Sequence, residues 1–174
     1  MTEKKNEDNI YISCNPITEY GGEEIKEDEE NEIDKSKKIS QDMLDDIIHE
    51  IAHSLEEVYS AEIYADQNME SEFLGKRIRL QGILDSHDHD TSAHDFKQTD
   101  YSAGLDEFFY KEIGYPLMTS LTSGLFYSPY AATSLREYFA NGFEAYFYHR
   151  DEYLSKVSPI LYQKIEELER DDQN

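Results

Sequence analysis

His49 and His53 stand four residues apart in Ile48-His49-Glu50-Ile51-Ala52-His53-Ser54, an H-E-x-x-H pattern. On a helix, residues four apart share one face, one above the other. Two imidazoles placed that way can both reach one Zn²⁺, which takes nitrogen at about 2.0–2.1 Å. Glu50 sits about 100° around the helix from His49. It can therefore contact a zinc-activated water and accept its proton without being a ligand. The plain alternative is a solvent-exposed amphipathic helix that carries the five letters by chance. Asp42, Asp45 and Glu56 project near the two histidines and suit a wet face.

The element that must carry this motif is a helix over about Gln41–Tyr64, with Ser40 as its N-cap. Leu44, Ile47, Ile48, Ile51, Leu55 and Val58 recur at helical spacing and form an apolar stripe centred opposite His49 and His53. The expectation is that this stripe faces the core and the histidines face a cleft.

Two histidines do not complete a zinc site; a third ligand and an open position are needed. The best candidate is Glu137, in Leu135-Arg136-Glu137-Tyr138-Phe139-Ala140-Asn141-Gly142-Phe143. Thr133 or Ser134 caps that helix. Leu135, Tyr138, Phe139, Phe143, Tyr146 and Phe147 give it a broad apolar face, while Glu137, Asn141 and Glu144 lie along one side.

With these residues in place the chain resembles the peptidase domain of anthrax lethal factor and the bacterial Pro-Pro endopeptidases. Those proteins carry HExxH on one helix and a ligand Glu on a second helix reading roughly EFFAEAF. An oxyanion-stabilising Tyr lies seven residues before that Glu. Here the second helix reads EYFANGF from Glu137, and Tyr130 lies seven residues before it. The resemblance covers about 43–54 and 130–147. It implies His49, His53 and Glu137 as zinc ligands, Glu50 as general base and Tyr130 as transition-state donor. It departs at Asn141, where the family has a second acid; Glu144 partly substitutes, and carboxylates supporting the histidines can come from Asp45, Asp46 or Glu56. It departs further upstream, where zincin-like peptidases hold substrate along an edge strand. Only about 40 residues precede the first helix here. The expected fold is therefore a trimmed zincin-like domain over 40–174, mainly α with a small β component.

Composition limits what else the chain can be. Its 174 residues suit one domain, and 38% hydrophobic content can bury a modest core. The formal charge of −23 repels nucleic-acid phosphates and anionic membranes, and suits a cation or a basic partner. Cys14 is the single cysteine, so no internal disulfide can form. No apolar leader opens the chain and no apolar run approaches a membrane span, so the expected location is cytoplasmic, or outside after delivery without a classical signal.

Residues 1–39 are polar and acidic, and the charge run Glu23–Asp34 reads as part of a largely disordered tail that could meet a basic protein. Ile10–Cys14 alternates like a strand or a segment that docks on a partner, and Arg77–Leu84 alternates like a strand although a helical continuation fits it nearly as well. Ser86–Thr99 is a polar loop in which His87, His89 and His94 offer ligands for a second cation, although no regular geometry is implied and a mobile loop is the plainer reading. Asp106–Ile113 reads as a helix broken at Gly114-Tyr115-Pro116, and Pro159–Arg170 as a final helix.

Two functions follow as expectations. The first is a zinc-dependent metallopeptidase in which a zinc-activated water attacks a peptide bond, with Glu50 as base and Tyr130 as oxyanion stabiliser. The second is a catalytically weak or inactive zincin-like interaction protein of a larger assembly, such as a virus particle.

Overall fold

The computed structural model describes residues 22–149 and 152–172. The chain divides after Gln41 into two compact units. Of the first, the described part is the opening half of helix α1 (Gly22–Val58). The second unit holds the rest of α1, followed by α2 (Ser60–Tyr64), α3 (Asn68–Ser86) and α4 (Ala103–Glu107), the last running into a wider π-type turn at Phe108–Ile113. Then come α5 (Tyr115–Thr122), a short 3₁₀ turn (Tyr130–Ala132), α6 (Leu135–Glu144) with a π-type continuation at Ala145–His149, α7 (Glu152–Val157) and α8 (Pro159–Asp172). The described residues are mainly helical and contain no strand.

Helix α3 is the centre of the second unit and packs against α2, α5, α6 and α8. It buries Met69, Phe73, Leu80 and Leu84 completely, together with Lys76 and Arg77. Of the two readings of Arg77–Leu84, this favours the helical continuation over the strand. Residues 73, 77, 80 and 84 are spaced as a helix buries them, but a cation in one of those slots hides the period and leaves the alternation of the second half visible. The small β component has no counterpart among the described residues; Ile10–Cys14 lies outside them. Helix α1 likewise begins at Gly22 and not near Gln41, so Ser40 is interior to it and residues 22–39, read from composition as flexible, are helical. Glu and Lys are good helix formers, and a charge run of that make-up can continue a helix as readily as a coil.

The two buried cations of α3 tie elements together. Arg77 donates from its guanidinium to the carbonyls of Gln98 (2.8 Å) and Asp95 (3.2 Å) and lies over the rings of Phe73 and Phe96. The polar loop after α3 is thereby held by its backbone, and its last turn passes the tie on: Leu135 N–H, at the start of α6, donates to Thr99 C=O at 2.8 Å. Lys76 donates to Tyr138 Oη and to Ser158 Oγ and pairs with Glu72 at 3.2 Å, while Tyr138 donates to Glu72. Burial lowers the Lys76 ammonium to about 8, with Glu72 opposing that shift.

Gly114, with φ +80°, makes the expected break between α4 and α5, and Ser134 is the expected cap of α6, its Oγ accepting from Glu137 N–H at 3.1 Å. Gly142 lets α8 approach α6. A Cβ there would lie 2.3 Å from Leu161 Cδ2 and 2.8 Å from Cγ, and Leu161 is itself buried. Gly142→Ala should therefore destabilise the protein by about 1–3 kcal/mol, as overpacking does in a filled core, despite the better helix propensity of alanine. Chemical denaturation of the two proteins measures this, and an unchanged midpoint would place α8 elsewhere.

Candidate metal centre

The centre lies where the second half of α1 meets the first two turns of α6. Helical spacing puts His49 and His53 on one face of α1, with ring centroids 4.9 Å apart. The Ser134 cap starts α6 so that Glu137, in its first turn, points back at them. His49 Nε2 lies 3.0 Å from Glu137 Oε2, and His53 Nε2 lies 3.5 Å from Glu137 Oε1. The three side chains are only 16–19% exposed. Their ligand atoms all fall within 4.8 Å of one another, and no other such group of three is found among the described residues.

These distances suit a zinc ion. Tetrahedral ligands at about 2.0–2.1 Å lie about 3.4 Å from each other, close to the two N–O separations here. The outward nitrogens fit as well. His49 Nδ1 faces Glu144 Oε2 and His53 Nδ1 faces Glu56 Oε2, each at 3.5 Å. A carboxylate on one ring nitrogen fixes the tautomer that leaves the other, Nε2, as the electron-pair donor. Glu56 is itself buried and held in place by Arg136 Nε at 3.0 Å and by the Tyr64 hydroxyl. Thus Glu144 and Glu56 supply the support for which several acids were candidates. Asn141 does something else: its Nδ2 donates to the Glu137 carbonyl at 3.0 Å, and its Oδ1 accepts from Ser128. It ties the segment before Tyr130 to α6. The Arg136–Glu56–Tyr64 chain was not foreseen; its only trace in the sequence is an acid at i+3 from the second histidine.

The remaining predicted residues sit around this cluster. Glu50 is exposed, one position along from His49 on the side of α1 toward solvent. Tyr130 is 39% exposed, and its ring centroid is 6.4 Å from that of His49. Partial burial, then the charges of Glu137 and Asp106, raise the Tyr130 phenol above its ordinary value, so at neutral pH it keeps its proton and is a donor. The three loop histidines are not gathered: His87 Nδ1 meets the Ile83 carbonyl and His94 stacks on Phe108. Among the described residues, the loop brings no three ligand atoms within reach of one another.

One expectation for α1 is overturned. The apolar stripe does lie opposite the histidines, but it is the outer face. Leu44, Ile47, Ile51 and Val58 are exposed, and α1 reaches the core through Ile48, Ala52 and Leu55 along one edge, beside its histidine face. Four polar contacts join the inward side of α1 to α6: His49 with Glu137 and with Glu144, His53 with Glu137, and Glu56 with Arg136.

No family model, no curated protein and no solved structure matches the chain.

In the metal-free protein, the hydrogen bond to Glu137, followed by that to Glu144, raises His49 from 6.5 to about 9. A base with a raised folded pKa contributes stability that is fully present below its unfolded value and lost as pH rises through the folded one. Chelator-treated protein should thus lose on the order of 1–3 kcal/mol between about pH 6.5 and pH 9. Glu137→Gln should flatten that slope. Urea titrations across the range test it; equal slopes in the two proteins would break the assigned contact.

Proposed function

We propose that this chain is a zinc-dependent metallopeptidase with His49, His53 and Glu137 as ligands, Glu50 as general base and Tyr130 as oxyanion donor. The observation that carries the reading is the convergence of two imidazole Nε2 atoms and one carboxylate from separate helices, with a carboxylate behind each Nδ1. Zinc bound there would supply a Lewis acid that acidifies water and polarises a carbonyl. Glu50, exposed beside the histidines and not among the ligand atoms, would take the proton of the attacking water and return it to the leaving amine. Tyr130 would donate its hydroxyl hydrogen to the oxygen that gains charge as the carbonyl is attacked. The acidic surface favours a peptide or protein substrate of basic character. A zincin-like arrangement of the helices is part of the same proposal.

A second reading rests on a specific feature. The described residues offer no strand along which a peptide could pair. The same ligands could then act as a staple between α1 and α6 in an interaction protein, with catalysis weak or absent.

The purified protein should bind about one zinc, and His49→Ala should lose it. A peptide library incubated with the zinc-loaded protein separates the two readings. Glu50→Gln should keep the metal and abolish cleavage. Tyr130→Phe should lower kcat by roughly 10²-fold with little change in KM, because its bond forms only in the transition state. Zinc binding with no cleavage beyond that of Glu50→Gln would leave the staple as the function. Metal content that is equal in wild type and His49→Ala would remove both.

A further inference from the structure

The outer face of α1 has no use in the metal centre. Within the second unit, Met43, Leu44, Ile47, Ile51 and Val58 are all exposed, from 46% at Leu44 to 70% at Val58. At about 100° per residue they fall within one arc of roughly 100°. Leu44, Ile47, Ile51, Ser54 and Val58 step by three and four, the spacing that seats one helix against another. The row is about 21 Å long. One border runs into the core edge at Ile48 and Leu55; the other is lined by exposed Asp46, Glu50 and Glu57. A contiguous apolar row with a polar rim marks an interaction surface.

We propose that this face is a docking ridge for a basic amphipathic helix of another protein. The apolar row supplies the contact that helix packing needs, and the acidic border selects the rim of the partner. Lysine or arginine beside the apolar face of the incoming helix would meet Asp46 and Glu57. A second copy of this chain fits poorly, because pairing would bring two acidic borders together on molecules that each carry a net charge of −23. The ridge lies on the side of α1 opposite His49 and His53, so docking does not depend on the peptidase reading.

The test uses the full chain and a fluorescent three-heptad designed helix with leucine at the seam and lysine at the rim. A second probe carries glutamate in place of lysine. By fluorescence anisotropy at physiological ionic strength, the lysine helix should bind and the glutamate helix should not. The double variant Ile47→Ser/Ile51→Ser should weaken binding by roughly tenfold or more, because central anchors dominate helix docking. Val58→Ser alone should weaken it less, and circular dichroism should be unchanged in each. Asp46→Asn/Glu57→Gln should weaken it several-fold. His49→Ala should bind the lysine helix as wild type does. No binding, or binding indifferent to Ile47 and Ile51, would overturn the proposal, since attraction by bulk charge would account for the latter. So would a dimer in sedimentation that dissolves on Ile47→Ser/Ile51→Ser, because a second copy would then be the occupant.

Discussion

Everything near the candidate centre depends on a polar seam between α1 and α6. His49 and His53 face Glu137 and Glu144, and buried Glu56 pairs with Arg136 one turn away. Among the described side chains of α1, only Ala52 of the apolar ones is fully buried. A helix held to its neighbours chiefly by charge and hydrogen bonds gains little from burial, and each unpaired group in such a seam is costly. This makes the seam the place where an ion would contribute most, since binding one would replace direct imidazole–carboxylate contacts by three coordinate bonds and fix the two helices together.

Further from α1 the packing is of the ordinary kind, and it positions α6 for the seam. The network of Lys76, Glu72, Tyr138 and Ser158 fixes α6 on α3 through the residue next to Glu137. Arg77 fixes the loop whose last turn bonds to Leu135 N–H, and Ser134 then sets the first turn of α6. Glu137 is thereby located by three ties that involve neither histidine. A carboxylate placed by the core needs no metal to organise it, which is the preorganisation a metal site would require.

How much of this was readable depended on whether the chemistry of a residue matched its burial. The grouping of His49, His53 and Glu137 was readable because H-E-x-x-H and a glutamate in a capped aromatic helix stand out by type and spacing. The break at Gly114 and the cap at Ser134 follow from local backbone rules, and both stand in the structure. The second half of helix α3 stayed ambiguous between strand and helix because its core slots include Arg77 and Lys76, which composition assigns to the surface. The orientation of α1 was misread for the converse reason: its largest apolar residues point outward. In both cases a tertiary contact, the cation over Phe73 and Phe96 or the histidines against Glu137, outweighed the hydrophobic pattern that a sequence displays.

The inverted amphipathicity of α1 is what joins the two halves of the interpretation. A helix whose polar face is turned inward must leave its apolar face outward, because the stripe and the histidines are on opposite sides of one cylinder. The centre and the ridge therefore have a common cause in the order of residues 43–58. The two faces nevertheless share no side chain: the ridge uses Leu44, Ile47, Ile51 and Val58, and the centre uses His49, His53 and Glu137, so either can be altered without touching the other.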